Sequence, residues 1–202
     1  MLICMKRIIV SSASCKKTTN AGFTLVELLV VMSMMLVLSS LILIKHNAFR
    51  GHLLLRSLAY EVALAIRQAQ VYGLGIKEYR GISDPIAAFQ IGYGIHFATA
   101  SPNSFFLFAD VDGNRTYTAG SDDGIIQTFA ISGGNRIVDL CAGSDVNVGC
   151  GLSTLDIMYE RPAPEAYING TQLNGAATVR LRSAQGEDRL VGAWITGQIL
   201  VQ

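Results

Sequence analysis

The feature that most constrains this chain is an apolar run from Phe23 to Ile44. Its 22 residues include only Thr24, Glu27, Ser33, Ser39 and Ser40 as polar positions. A helix of that length measures about 33 Å at about 1.5 Å per residue, enough to span a bilayer core of about 30 Å. Upstream stand Lys6, Arg7, Lys16 and Lys17, and no acidic residue precedes Glu27. That asymmetry keeps the leader cytoplasmic and sends the remainder outward. Lys45, His46 and Asn47 mark the exit from lipid.

Glu27 makes the run unusual. A lone charge placed in lipid costs about 2.5–3.5 kcal/mol on insertion scales, so an intramembrane glutamate is a functional-site hypothesis by default. A secretory signal peptide needs a shorter apolar core and a small-residue cleavage context. This run is too long, and Lys45-His46-Asn47 is a poor context. A lipoprotein signal ending at Cys15 would need more apolar residues than Ile8-Ile9-Val10. A plain membrane anchor fits the length but leaves Glu27 and the Gly22-Phe23 junction without a reason.

Gly22-Phe23-Thr24-Leu25-Val26-Glu27-Leu28-Leu29-Val30-Val31 resembles the processing site of the type IV pilin and type II secretion pseudopilin superfamily. The resemblance implies that a prepilin peptidase cuts after Gly22 and that Phe23 becomes the N-methylated first residue. It further implies that Glu27 pairs with the N-terminal amine of a neighbouring subunit during assembly. A buried carboxylate meeting an ammonium regains much of its desolvation cost, and a slipped register would leave both charges unpaired. Glu27 is therefore expected to act in assembly, with no catalytic part. The implied partners are other pilin or pseudopilin subunits, the prepilin peptidase, an inner-membrane assembly platform, and lipid before assembly.

The boundary at Gly22 divides charge and cysteines alike. The leader holds four of the 16 Lys and Arg and none of the 15 Asp and Glu, leaving 12 against 15, a net −3 for residues 23–202. That balance offers no basic footprint for nucleic acid. Cys4 and Cys15 fall in the leader, while Cys141 and Cys150 remain as an even pair in an exported region. A bridge between them would close the loop AGSDVNVG and stabilise the fold by about 2–3 kcal/mol on the chain-entropy estimate. Two free thiols are the other account.

Beyond the exit, residues 48–72 keep a helical pattern, with Leu54, Leu58, Val62, Ala65, Ile66 and Ala69 on one stripe and Arg56, Glu61, Arg67, Gln68 and Gln70 elsewhere. Gly51 is a weak point, and Gly73 is placed as a left-handed cap. From Ile76 on, short apolar runs between Gly, Pro, Asn and Asp read as strands near 89–98, 105–111, 125–131, 154–159, 178–182, 190–196 and 199–201. The fold class expected is α+β: a long N-terminal helix, half transmembrane and half amphipathic, on a small antiparallel sheet or β-sandwich head. The expected divisions are a leader over 1–22, a transmembrane or filament-core helix over 23–44, an amphipathic helix over 45–75 and a β-rich head over 76–202. The C-terminal hairpins resemble the GspH/FimT-like minor pseudopilin branch.

Asp110-Val111-Asp112-Gly113-Asn114 is the most site-like segment of the head. Oxygens of Asp110, Asp112 and Asn114, spaced two apart, could face one calcium ion, with Asp122 and Asp123 adding more. The twelve-residue calcium-loop pattern is absent, and the favoured account is a hairpin turn leading into a strand at 116–118. His46, His52 and His96 form no ligand pair, and no nucleophile or metal cluster marks an enzyme. Arg180, Arg182 and Arg189 line one hairpin and either face water or meet an anionic partner. The function implied is a structural subunit of a pilus or secretion filament, on the inner membrane and then in a surface or periplasmic filament. The alternative is a tip pilin that captures DNA or another surface ligand.

Overall fold

The computed structural model describes residues 22–75, 77–81, 89–120, 123–172 and 175–202, with the backbone alone for 44–50. The leader therefore lies outside the described residues, apart from Gly22. The chain divides into two units, 1–43 and 44–202.

One helix, α1 (Leu25–Leu74), supplies the described part of the first unit and the opening of the second. It starts because Thr24 caps it and because the sequence to Leu43 lacks both Gly and Pro. It runs through Gly51 without a break and ends past Gly73. Gly73 is not a left-handed cap. It lies inside the helix, and a Cβ there would overlap the backbone carbonyl of Tyr159. Glycine is required because helix and sheet touch backbone to backbone at that point.

In the second unit, α1 turns Leu55, Leu58, Ala59, Val62, Ala65, Ile66 and Ala69 into the core. The expected stripe was one residue off at its start, since Leu54 is 44% exposed and Leu55 is 1% exposed. Gln70 is also buried, its Nε2 donating to the carbonyl of Gly197 at 3.4 Å. A buried amide is tolerated where it finds such a partner.

Among the described residues nine strands follow: β1 (Gly92–Ala98), β2 (Ser104–Asp110), β3 (Gly124–Ala130), β4 (Arg136–Gly143), β5 (Thr154–Tyr159), β6 (Ala166–Ile168), β7 (Ala176–Arg182), β8 (Asp188–Trp194) and β9 (Ile199–Val201). They form two antiparallel sheets, ordered β3-β2-β1-β5-β6 and β4-β7-β8-β9. Ile95, Phe97, Phe105, Leu107, Leu155 and Ile157 from the first sheet share one core with Leu140, Val179, Leu181 and Val191 from the second. Each such side chain stabilises by about 1.5–3 kcal/mol relative to exposure. The helix closes the side of this sandwich. Gln68 Nε2 donates to Gln127 Oε1 on β3 at 3.2 Å, while Gln70 reaches the turn before β9. The class is α+β, with an apolar N-terminal helix followed by antiparallel sheets.

β4 and β6 were not expected from the sequence. In β4 a register shift between Ile137 and Asp139 breaks the alternation that marks a half-buried strand. β6 is only three residues long and follows two prolines.

Candidate functional site

At the start of α1, Thr24 Oγ1 accepts a hydrogen bond from the backbone N–H of Glu27 at 3.2 Å, and Thr24 O accepts from Leu28 N at 3.2 Å. Thr24 is thus the N-cap and Glu27 the third helical residue, the spacing of a capping box. Sequence reasoning overlooked this role, although Thr-x-x-Glu before an apolar run is its written signature. The carboxylate also stands where the partial positive charge of the helix end favours an anion.

The remaining polar groups of the segment are handled locally. Ser33 and Ser40 donate to the carbonyls of Val30 and Val37, each at 2.8 Å. Among the described residues the Glu27 carboxylate makes no hydrogen bond or ion pair. Around it the surface is apolar and outward-facing: Phe23 is 85% and Leu25 is 80% exposed. Leu25–Leu43 is long and apolar enough to cross a membrane. Gly22 has nothing within 4 Å of where a Cβ would stand. Nothing in the described packing therefore demands a glycine at that position.

The acidic loop between β2 and β3 is not a hairpin turn into a strand at 116–118. Those residues are irregular, and β2 pairs instead with β3. Asp110 accepts from the N–H groups of Gly113 and Arg115, both at 3.0 Å. Asp123 accepts from Val111 N at 2.9 Å and Thr118 N at 3.0 Å. Carboxylate oxygens of Asp110, Asp112 and Asp123 lie within 4.8 Å of one another. Burial and the neighbouring acids push the pKa of Asp110 up to about 6, against the pull of its two backbone donors. Asn114 does not join that group. Its Nδ2 donates to Asp112 Oδ2 at 2.7 Å and Thr118 Oγ1 at 2.9 Å, and its Oδ1 accepts from Thr116 N at 2.7 Å. Of the oxygens named from the sequence, those of Asp110, Asp112 and Asp123 come together, Asn114 braces the loop from within, and Asp122 lies outside the described residues.

Under this loop lies a cluster of aromatic rings on the outer face of the first sheet. Tyr117 packs over His96, Phe106 and Phe108 with ring centroids 4.7–5.6 Å apart. Beneath it, His96 Nδ1 and Asp156 Oδ1 are 2.7 Å apart and buried. Gly94 makes room for the Phe108 ring, and Gly92 for the end of Met158. At the margin, Arg115 pairs with Glu160 at 3.1 Å and covers the Tyr167 ring at 4.3 Å. His96, expected to form no ligand pair, lies on β1 beside a carboxylate supplied by β5, sixty residues away.

The three arginines are not gathered into one cationic face. Arg182 makes a two-pronged pair with Asp188, at 2.6 and 2.8 Å. Arg180 donates to Asn147 Oδ1 at 3.0 Å, and Arg189 pairs with Leu181 in register, on the opposite face of the sheet. Cys141 and Cys150 are joined by a disulfide. The loop they close folds over the second sheet, where Asn147 meets Arg180.

Residues 17–43 match the family model described as the prokaryotic N-terminal methylation motif. No curated protein and no solved structure matches the chain. A methylation motif on an apolar N-terminal helix, ahead of antiparallel sheets, supports a type IV pilin-like or pseudopilin-like structural chain that assembles with other pilins after peptidase processing.

Proposed function

We propose that this chain is a minor pilin or pseudopilin. It is cut after Gly22, methylated on the new amine of Phe23, and built into a type IV pilus or type II secretion-like filament through the helix of residues 23–44. Before assembly it sits in the inner membrane with residues 45–202 outside the cytoplasm. It is passed by the prepilin peptidase to an inner-membrane assembly platform. Glu27 sets the axial register by meeting the amine of a neighbouring subunit.

The observation that carries this reading is the methylation motif falling on a span whose one acid has no ion pair or hydrogen bond among the described residues. The open space at Gly22 supports it as well, because a glycine that packing does not require is accounted for by an outside demand such as peptidase access. Intact-mass measurement of the protein from its native membrane tests the reading. The expected species begins at Phe23 and carries one added methyl group, and the Gly22→Leu variant keeps its leader. A native protein beginning at Met1, or normal trimming of the Gly22→Leu variant, refutes it.

A further inference from the structure

The half of α1 that enters the core has an opposite face that stays largely exposed, with Tyr60 and Leu64 bordering a groove lined also by Gly197 and Ile199. Leu53 is 51%, Tyr60 48%, Leu64 69% and Val71 60% exposed, on the side away from Leu55, Val62 and Ala69. At about 100° per residue the centres of the two faces differ by roughly 180°. These four residues, with Ser57 and Arg67 between them, fall on the alternating three-and-four spacing of a heptad seam.

We infer that this seam pairs with the same seam of a second copy of the chain, as a parallel, in-register helix pair beside the membrane. The inference rests on the membrane reading above, because two copies inserted the same way bring the starts of their 51–74 segments to the same side of one bilayer. Charge complementarity chooses the register. Arg56 and Glu61 flank the seam on opposite sides, both exposed, and among the described residues neither joins an ion pair. In a parallel pair with Ser57, Leu64 and Val71 at the a positions, Arg56 is a g residue. Glu61 is then the e residue five places on, which is the pair that meets across the interface. The two-fold axis produces the contact twice, Arg56 to Glu61 of the other copy and the reverse. An antiparallel or slipped arrangement loses both contacts. Arg67 occupies the seam's charged layer, and its guanidinium is drawn aside to Gln70 of its own helix. About three heptads make a weak pair in free solution. Anchoring both copies in one bilayer raises their effective concentration.

The test uses the full chain in lipid vesicles, with Cys4→Ser and Cys15→Ser to remove the leader thiols. Ser57→Cys is expected to form an intermolecular disulfide on mild oxidation, and the exposed control Ser132→Cys is not. Glu61→Arg should lower the crosslinked fraction about tenfold, corresponding to about 1.4 kcal/mol. The double variant Arg56→Glu with Glu61→Arg should restore it. Alkaline extraction of the same vesicles separates the two ideas. Protein released by alkali overturns the membrane reading and this inference with it. Retained protein that fails to crosslink at position 57, or that crosslinks equally with Glu61→Arg, overturns the pairing alone.

Discussion

Glu27 does two things that one substitution can separate. Its N–H is capped by Thr24 at 3.2 Å, and its side chain is an acid in the first turn of an apolar helix. Glu27→Gln keeps a residue suited to the capping-box position, so the helix start is retained, and it removes only the charge. The cap itself is worth about 0.5–2 kcal/mol and is lost in Thr24→Ala. Removing one partner from a buried ion pair costs about 3–5 kcal/mol, because the other charge stays behind unpaired. At about 1.4 kcal/mol per factor of ten, Glu27→Gln should lower incorporation into filaments by roughly 10²-fold to a few times 10³-fold. Membrane insertion should not suffer, since the neutral amide is easier to place in lipid than the carboxylate. The assay is a competition in which wild-type and Glu27→Gln proteins are co-expressed and their ratio in sheared filaments is compared with that in the membrane. Equal ratios would refute the charge pairing and leave the capping box as the whole reason for the glutamate.

The remaining predictions concern residues 44–202. Gly73→Ala drives a methyl into the Tyr159 carbonyl, which is backbone and cannot swing away, so melting of the protein should reveal a loss of about 1–3 kcal/mol. Paired Cys141→Ser and Cys150→Ser should cost about 2–3 kcal/mol in denaturant unfolding, with reducing agent giving the same loss in the wild type. Asp110 is raised in the folded state from 3.8 to about 6, so its ionised form is disfavoured by folding. Its share of stability therefore grows as pH falls from about 7 to about 4, is complete below 3.8, and is lost as pH rises through about 6. Asp110→Asn should flatten that part of the profile whatever it does to the absolute melting temperature, and an unchanged slope would sink the assignment. Gly94→Val should displace the Phe108 ring and, through it, Tyr117, read as increased proteolysis within residues 111–120.

The parts of the fold written most plainly were those with punctuation on both sides. Thr154–Tyr159 stands between Ser153 and Pro162, and Ile199–Val201 follows the turn at Gly197; the bounds of both were legible. Arg136–Gly143 was not, because the irregularity before Asp139 disrupts the alternation that announces a strand. The shift from Leu54 to Leu55 was also hidden, since adjacent leucines satisfy the same spacing until a particular sheet chooses between them. Gly73 looked like a helix stop because glycine frees the backbone. Its other property, the absence of a side chain, is the one used, and that depends on a strand more than eighty residues away. The pairing of His96 with Asp156, and the approach of Asp123 to Asp110, likewise come from long-range topology. The capping box at Thr24 was legible but missed, because an acid in an apolar run also satisfies the pattern of a charge within a membrane span.

The way Ser33 and Ser40 return their hydroxyls to the preceding turn has a consequence for how such a helix travels. Each serine carries its own acceptor along, so exchanging a sheath of acyl chains for a sheath of sister helices changes nothing in its bonding. On the proposed assembly, passage from bilayer to filament is then indifferent to Ser33 and Ser40 and sensitive to Glu27, the one acid of the span.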